Sequence, residues 1–119
     1  MEVNSFRDLR VWQAGMDLVE LVYRLSFPPQ EIYGLTGQMR RCAVSVPSNI
    51  AEGHTREHSK EYLHYISMAQ ASLAELQTQL EIAGRLKYLS QEQVKDGLEK
   101  MTSQSKQLYA LRNALAKRG

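Results

Sequence analysis

Apolar residues recur at Tyr62, Ile66, Ala69, Leu73, Leu76, Leu80 and Ala83, in alternating steps of four and three without a slip. That rhythm excludes a strand, whose side chains alternate with a period of two, and matches the seam of a left-handed helix bundle. A seam this long must be covered on one whole side by other helices. The rest of the chain has the patterns to supply them.

The seam predicts a long helix over about His58 to Leu86. A fourth helix follows Ser90, where Ser90-Gln91-Glu92-Gln93 reads as a capping box, and its inner line is Val94, Leu98, Met101, Leu108 and Leu115. A second helix is predicted from between Ile32 and Leu35 to Gly53, taken as the glycine just past the helix end, with Leu35, Met39, Cys42, Val46 and Ile50 inward. Pro47 falls inside that pattern. It removes a backbone donor and crowds the carbonyl of Ala43, so a kink or break is expected there. The first helix is predicted from Asp8 to Leu25, started by the Ser-x-x-Asp pattern of Ser5 to Asp8 and stopped by Pro28-Pro29. Short connections between long helices favour antiparallel neighbours. The expected fold class is therefore all-α, an antiparallel up-down-up-down four-helix bundle, with the whole chain, 1–119, as a single domain.

Helix one has more apolar surface than one bundle core uses. Leu9, Trp12, Met16, Val19 and Tyr23 form one seam, and Val11, Leu18, Val22 and Leu25 form another nearly opposite. Arg10, Gln13, Asp17, Glu20 and Arg24 are confined to a wedge of roughly 80°. On helix two, Val44 and Ala51 lie where water was expected. These positions predict a second buried surface, an interface between copies formed by Val11, Leu18, Val22, Leu25, Val44 and Ala51.

The composition sets limits on what else the chain is. Glycine and proline are sparse and charged residues make up 24% of the chain, as in globular proteins. The longest apolar runs are a few residues, too short for a transmembrane helix, and the start, Met1 to Asp8, lacks the basic and apolar stretches of a signal peptide. Cys42 is the only cysteine, so no intrachain disulfide forms. A cytoplasmic location away from membranes is the expectation. Cys42 itself reads as a small buried hydrophobe, with a reactive thiol as the alternative.

No reaction emerges from the motifs. Glu61-Tyr62-Leu63-His64 matches the Glu-x-x-His unit of di-iron bundles, but a dinuclear site needs two such units and His64 projects roughly 160° away from the seam. His54 and His58 are four apart, yet His54 follows Gly53 and is expected in a loop, where both histidines read as solvated. Gly34, Gly37 and Gly53 are not spaced as a phosphate-binding loop. Ser45, Ser48 and Ser72 lack a nucleophile elbow or an evident base. Tyr33, Tyr62, Tyr65, Tyr88 and Tyr109 suit the edge of a core as well as base stacking. No catalytic residue, cofactor or metal is expected, and the chain is not read as an enzyme.

The net charge is +2, but from Lys100 onward Lys100, Lys106, Arg112, Lys117 and Arg118 are joined by no acid. Such a tail is either a footprint for an anionic partner or a set of cations favoured at a helix C-terminus. Arg40 and Arg41 point away from the inner line of helix two. They either contact phosphate or a partner subunit, or pair with carboxylates such as Glu52 or Glu75. Asn49 and Glu52 flank Pro47 and are candidates to satisfy the backbone groups it leaves unpaired.

The stretch Tyr33-Gly-Leu-Thr-Gly-Gln-Met-Arg-Arg-Cys-Ala-Val-Ser-Val-Pro-Ser-Asn-Ile-Ala-Glu-Gly53 resembles the signature of the 23S rRNA-intervening-sequence protein family, also called the four-helix-bundle protein family. The opening Phe6-Arg-Asp-Leu-Arg-Val-Trp12 and Ser72-Leu-Ala-Glu-Leu-Gln-Thr-Gln-Leu-Glu-Ile-Ala83 are similar to it too, so the likeness spans about residues 6 to 89. Gln70-Ala71 stands ahead of Ser72 where relatives often carry a glycine. The resemblance implies a bundle that assembles as a barrel-like homopentamer. The family name records open reading frames inside intervening sequences of bacterial 23S rRNA genes and describes a location, not a biochemistry. A similar protein, the accessory protein of diversity-generating retroelements, is a basic pentamer that binds nucleic acid and a reverse transcriptase. The expected function is a non-enzymatic homo-oligomer associated with RNA or DNA, with a nucleic-acid-processing protein as a further expected partner. The expected contacts are Arg40, Arg41, Arg56, Lys106, Arg112, Lys117 and Arg118. The alternative is a protein-binding scaffold that touches no nucleic acid.

Overall fold

The computed structural model describes residues 5–118; residues 1–4, the first half of the Met1 to Asp8 start, and residue 119 lie outside the described residues. Four helices, α1 (Arg10–Arg24), α2 (Leu35–His54), α3 (Ser59–Arg85) and α4 (Gln91–Lys117), pack side by side, and the described residues contain no strand. A helix rises about 1.5 Å per residue, so the 27-residue helices α3 and α4 account for most of the 45 Å length of the molecule.

Every neighbouring pair runs antiparallel. Ser45 meets Ser72 between α2 and α3, Leu80 meets Gly97 between α3 and α4, and Gly15 meets Pro47 between α1 and α2. The ring closes where Gln104 on α4 reaches the first turn of α1, while α1 and α3 stand diagonally apart. Ile66, Ala69, Leu73, Leu76, Leu80 and Ala83 are buried against Met39, Ala43, Val46 and Ile50 of α2 and Met101, Leu108 and Leu115 of α4. Full burial of a leucine or isoleucine contributes about 1.5–3 kcal/mol, so this seam is the main source of cohesion.

Several local expectations are corrected. The Ser5 hydroxyl caps a short 3₁₀ turn, Phe6–Asp8, and α1 begins only at Arg10 after extended Leu9. The inner line of α2 is Met39, Ala43, Val46 and Ile50; Leu35 and Cys42 are only half-buried. On α4, Gly97 lies inside while Val94 and Leu98 are half-buried. α2 runs through Pro47 without a break and ends at His54. Asn49 donates to the carbonyl and hydroxyl oxygens of Ser45, not to Ala43, and the Glu52 carboxylate pairs with Arg56.

Gly53 is therefore a helical residue and not a terminator. Its place is set by α3, since a methyl there would stand 2.8 Å from Tyr62 Cδ1 and 2.9 Å from Tyr65 Cβ. The left-handed residue is instead Lys87, at φ 65°. It closes α3 in a Schellman arrangement, with Lys87 N–H donating to the Gly84 carbonyl and Tyr88 N–H to that of Ala83. The Ser90–Gln93 capping box then starts α4 with both reciprocal bonds formed.

Two substitutions follow from these glycine rules. Gly53→Ala should lower stability by about 1–3 kcal/mol in urea melts, because the tyrosines and α3 backbone must move. Lys87→Gly should raise it by about 0.5–1 kcal/mol, since a side chain disfavours the left-handed region.

Candidate functional site

The surface that matters most is decided by how α1 lies on α2. Gly15 is buried, and a methyl added to it would stand 3.2 Å from Pro47 Cβ. Lacking a side chain, Gly15 lets the two helices approach closely along that face, which turns its neighbours on the same side into the core. Val11, Leu18 and Val22 are accordingly 7%, 3% and 1% exposed. Leu25 is half-buried and packs against the same cluster. Their assignment to an interface between copies is thus corrected: they hold α1 to its own bundle.

The apolar side left over is the other seam. Met16 and Tyr23 are 41% and 47% exposed, and Trp12 and Val19 are half-buried between them and the core. Antiparallel register places this stripe beside the outer positions of α2, where Val44 is exposed and Ala51 half-buried. Tyr23 and Val44 share the wall of a groove with Ile32, Arg40 and Arg41. Val44 and Ala51 thus remain on the outer surface, and the stripe Trp12, Met16, Val19 and Tyr23 joins them. The legible signal was Gly15, since a small residue inside an apolar stripe marks the face of closest helix approach.

The seven cations do not gather into one patch. Arg40 and Arg41 lie near the start of α2, whereas Arg56, Lys117 and Arg118 lie at the opposite end of the bundle, beside the α2–α3 turn and the end of α4. Arg41 and Arg56 are separated by roughly 22 Å of helical rise. Arg40 is held by α1: its guanidinium stacks 4.7 Å from the Tyr23 ring centre and donates to the Tyr23 carbonyl at 3.3 Å. That bond satisfies a carbonyl at the negative end of α1. Arg56 pairs with Glu52 at 3.1 Å and donates to the Tyr65 hydroxyl at 2.7 Å. Arg112 reaches Gln70 at 3.4 Å, and Lys106 lines a groove between α3 and α4 with Arg85, Lys87 and Lys95. Neither Arg40 nor Arg41 pairs with Glu52 or Glu75 among the described residues.

A row of polar groups runs along the α2–α3 junction. The Ser45 and Ser72 hydroxyls are 2.8 Å apart, within hydrogen-bond distance across the two helices. One turn along, the Cys42 thiol donates to the Glu75 carboxylate at 3.3 Å. Burial, and then this bond to Glu75, push the thiol pKa above its ordinary value. The thiol is therefore protonated at neutral pH, which makes it a hydrogen-bond donor and a poor nucleophile. His54 and His58 flank the α2–α3 turn and do not share a helix; His54 packs edge-on against Tyr62. Gln104 is 2% exposed and its side-chain amide donates to the Val11 carbonyl at 2.9 Å, tying α4 to α1. Its spacing from Met101 and Leu108 puts it on the inner line of α4, a position its polar side chain does not advertise in the sequence.

The family model described as 23S rRNA-intervening sequence protein matches residues 7–110. No curated protein matches the chain.

The state of Cys42 is open to a direct check. At pH 8 iodoacetamide should alkylate the native chain several-fold more slowly than the urea-unfolded chain, and Glu75→Gln should narrow the gap by removing the carboxylate that holds the proton. Equal native and unfolded rates would contradict the raised pKa.

Proposed function

The chain belongs to the 23S rRNA-intervening sequence protein family, and on that footing we propose that it is a non-enzymatic subunit of a homo-oligomer, whose assembled form offers its basic side chains to RNA or DNA. The observation that carries this reading is the outer stripe of α1 and α2: Trp12, Met16, Val19 and Tyr23 beside Val44 and Ala51. A continuous apolar strip of this kind, with charged residues confined to one wedge of α1, has the composition of an interface core. The family resemblance favours five copies closing into a barrel.

Assembly also bears on nucleic-acid binding. In one copy the seven cations are spread over both ends of the bundle and the length of α4, with few in any one place to hold a polyanion firmly. Cyclic repetition sets equivalent groups around a ring, so Arg41 would recur around one rim, and Lys117 and Arg118 around the other. Binding of this kind is electrostatic and tolerant of sequence. The protein-scaffold reading draws support from Arg40 and Arg56, whose guanidinium groups are engaged within the chain.

Native mass before and after nuclease treatment separates these readings. The oligomer should persist through nuclease, and retained RNA or DNA should be released as salt rises; a nuclease-independent oligomer that retains no nucleic acid at low salt leaves the scaffold reading. For the interface itself, Met16→Asp with Tyr23→Asp should give folded monomers with unchanged helical circular dichroism. Val22→Asp should instead unfold the chain, because it places a charge in the core at a cost of several kcal/mol. An oligomer that survives the Met16 and Tyr23 pair of changes would refute the assignment of this face.

A further inference from the structure

Where the α1–α2 connection folds over the start of α2, it encloses a recess of about 300 Å³. Phe27, Pro28, Pro29 and Ile32 supply a stiff apolar wall, and Thr36 and Arg40, one turn apart on α2, lie at its base. Thr36 is only 5% exposed and its hydroxyl has no hydrogen-bond partner among the described residues. The Nε–H of Arg40 is likewise buried and unpartnered, although its terminal nitrogen reaches the Tyr23 carbonyl. Buried donors without acceptors are uncommon in native proteins and point to a group that completes them.

The surroundings state the charge of that group. The recess lies beside the first turn of a 20-residue helix, at whose N-cap, Gly34, the Glu31 carboxylate already stands, so the attraction for an anion must come from the arginines. Arg24, 81% exposed and only 3.7 Å-paired with Glu20, stands on the rim. The carboxylate of the connection, Glu31, is turned to the Gly34 side and is not part of the wall. Thr36 and two arginine side chains, Arg24 and Arg40, thus line one small space whose lining includes no carboxylate.

We propose that this recess is a binding site for a phosphate group, with the Thr36 hydroxyl and Arg40 Nε–H donating to its oxygens after a small side-chain rotation and Arg24 closing over it. The apolar wall of Phe27 and the two prolines would accept the organic part of a phosphate monoester. The site is complete within one copy, so it does not rest on the assembly proposed above. The phosphate group has two sources to separate, free inorganic phosphate and the terminal phosphate of a nucleic-acid strand.

Thermal unfolding of the full chain tests this with three probes at matched ionic strength: inorganic phosphate, a short RNA carrying a 5′-phosphate, and the same RNA without it. Phosphate or the phosphorylated RNA should raise Tm by at least about 2 °C beyond potassium chloride and beyond the unphosphorylated strand. Inorganic phosphate acting alone identifies free phosphate as the ligand, and a response confined to the phosphorylated strand identifies the nucleic-acid end. Thr36→Val, which keeps the shape and removes the hydroxyl, should reduce the response by at least about threefold in apparent affinity. Arg40→Lys, which keeps the charge and removes the Nε donor, should do the same; should it fail to fold, Thr36→Val decides. No shift with either phosphate probe, or a response that Thr36→Val leaves intact, overturns the proposal.

Discussion

The antiparallel packing of α2 on α3 supports the rest of the molecule. Ala43 and Ala69 keep the middle of that interface thin, Gly53 lets the tyrosines of α3 press against the α2 backbone, and Ser45 and Ser72 meet at 2.8 Å between them. With these small residues shared between the two helices, the larger Met39, Ile50, Ile66 and Leu73 are buried around them. α4 then completes the α3 seam, with Gly97 accommodating Leu80 in the same way. The polar row at this junction costs little, since each hydroxyl or thiol that is half-buried there has an acceptor within reach.

α1 is the helix whose placement was least constrained by its own pattern. It carries two apolar seams, either of which would satisfy a bundle. Pro47 and Gly15 resolve the choice together. A proline ring on α2 presents a flat apolar surface, and a glycine on α1 allows the backbone to approach it closely. Arg40 locks the other end by stacking on Tyr23 and capping its carbonyl. The signature around Pro47 is thereby given a physical meaning: it is where α1 is positioned, and with it the outer apolar stripe.

The distribution of charge follows from the same arrangement. Arg41 and Arg56 sit near the start and just past the end of the same helix, α2, so its length keeps them apart and they cannot act together in one copy. The cations that sequence reading grouped by type are separated by topology, and two of them, Arg40 and Arg56, are occupied by tyrosines and a carboxylate. Only repetition of the subunit brings like positions near one another again.

Much of the fold was legible in the chain. The 4-3 rhythm from Tyr62 to Ala83, the Ser90 capping box and the stop before Pro28 specify helix lengths, and short connections then imply antiparallel neighbours; these signals are local, and the four helices follow them closely. Part of the surface was legible as well, because Val44 and Ala51 sit on a face whose phase the inner line of α2 sets. What apolar periodicity could not decide was which of the two seams of α1 faces inward, where Gly15 was the one local hint, or whether an arginine is free or engaged. Both depend on contacts between residues distant along the chain, such as Gly15 with Pro47, Arg40 with Tyr23 and Gln104 with Val11. Periodicity reports how many apolar faces a helix has. Only tertiary packing decides which of them is used up inside the subunit, because that choice rests on how closely two backbones can approach.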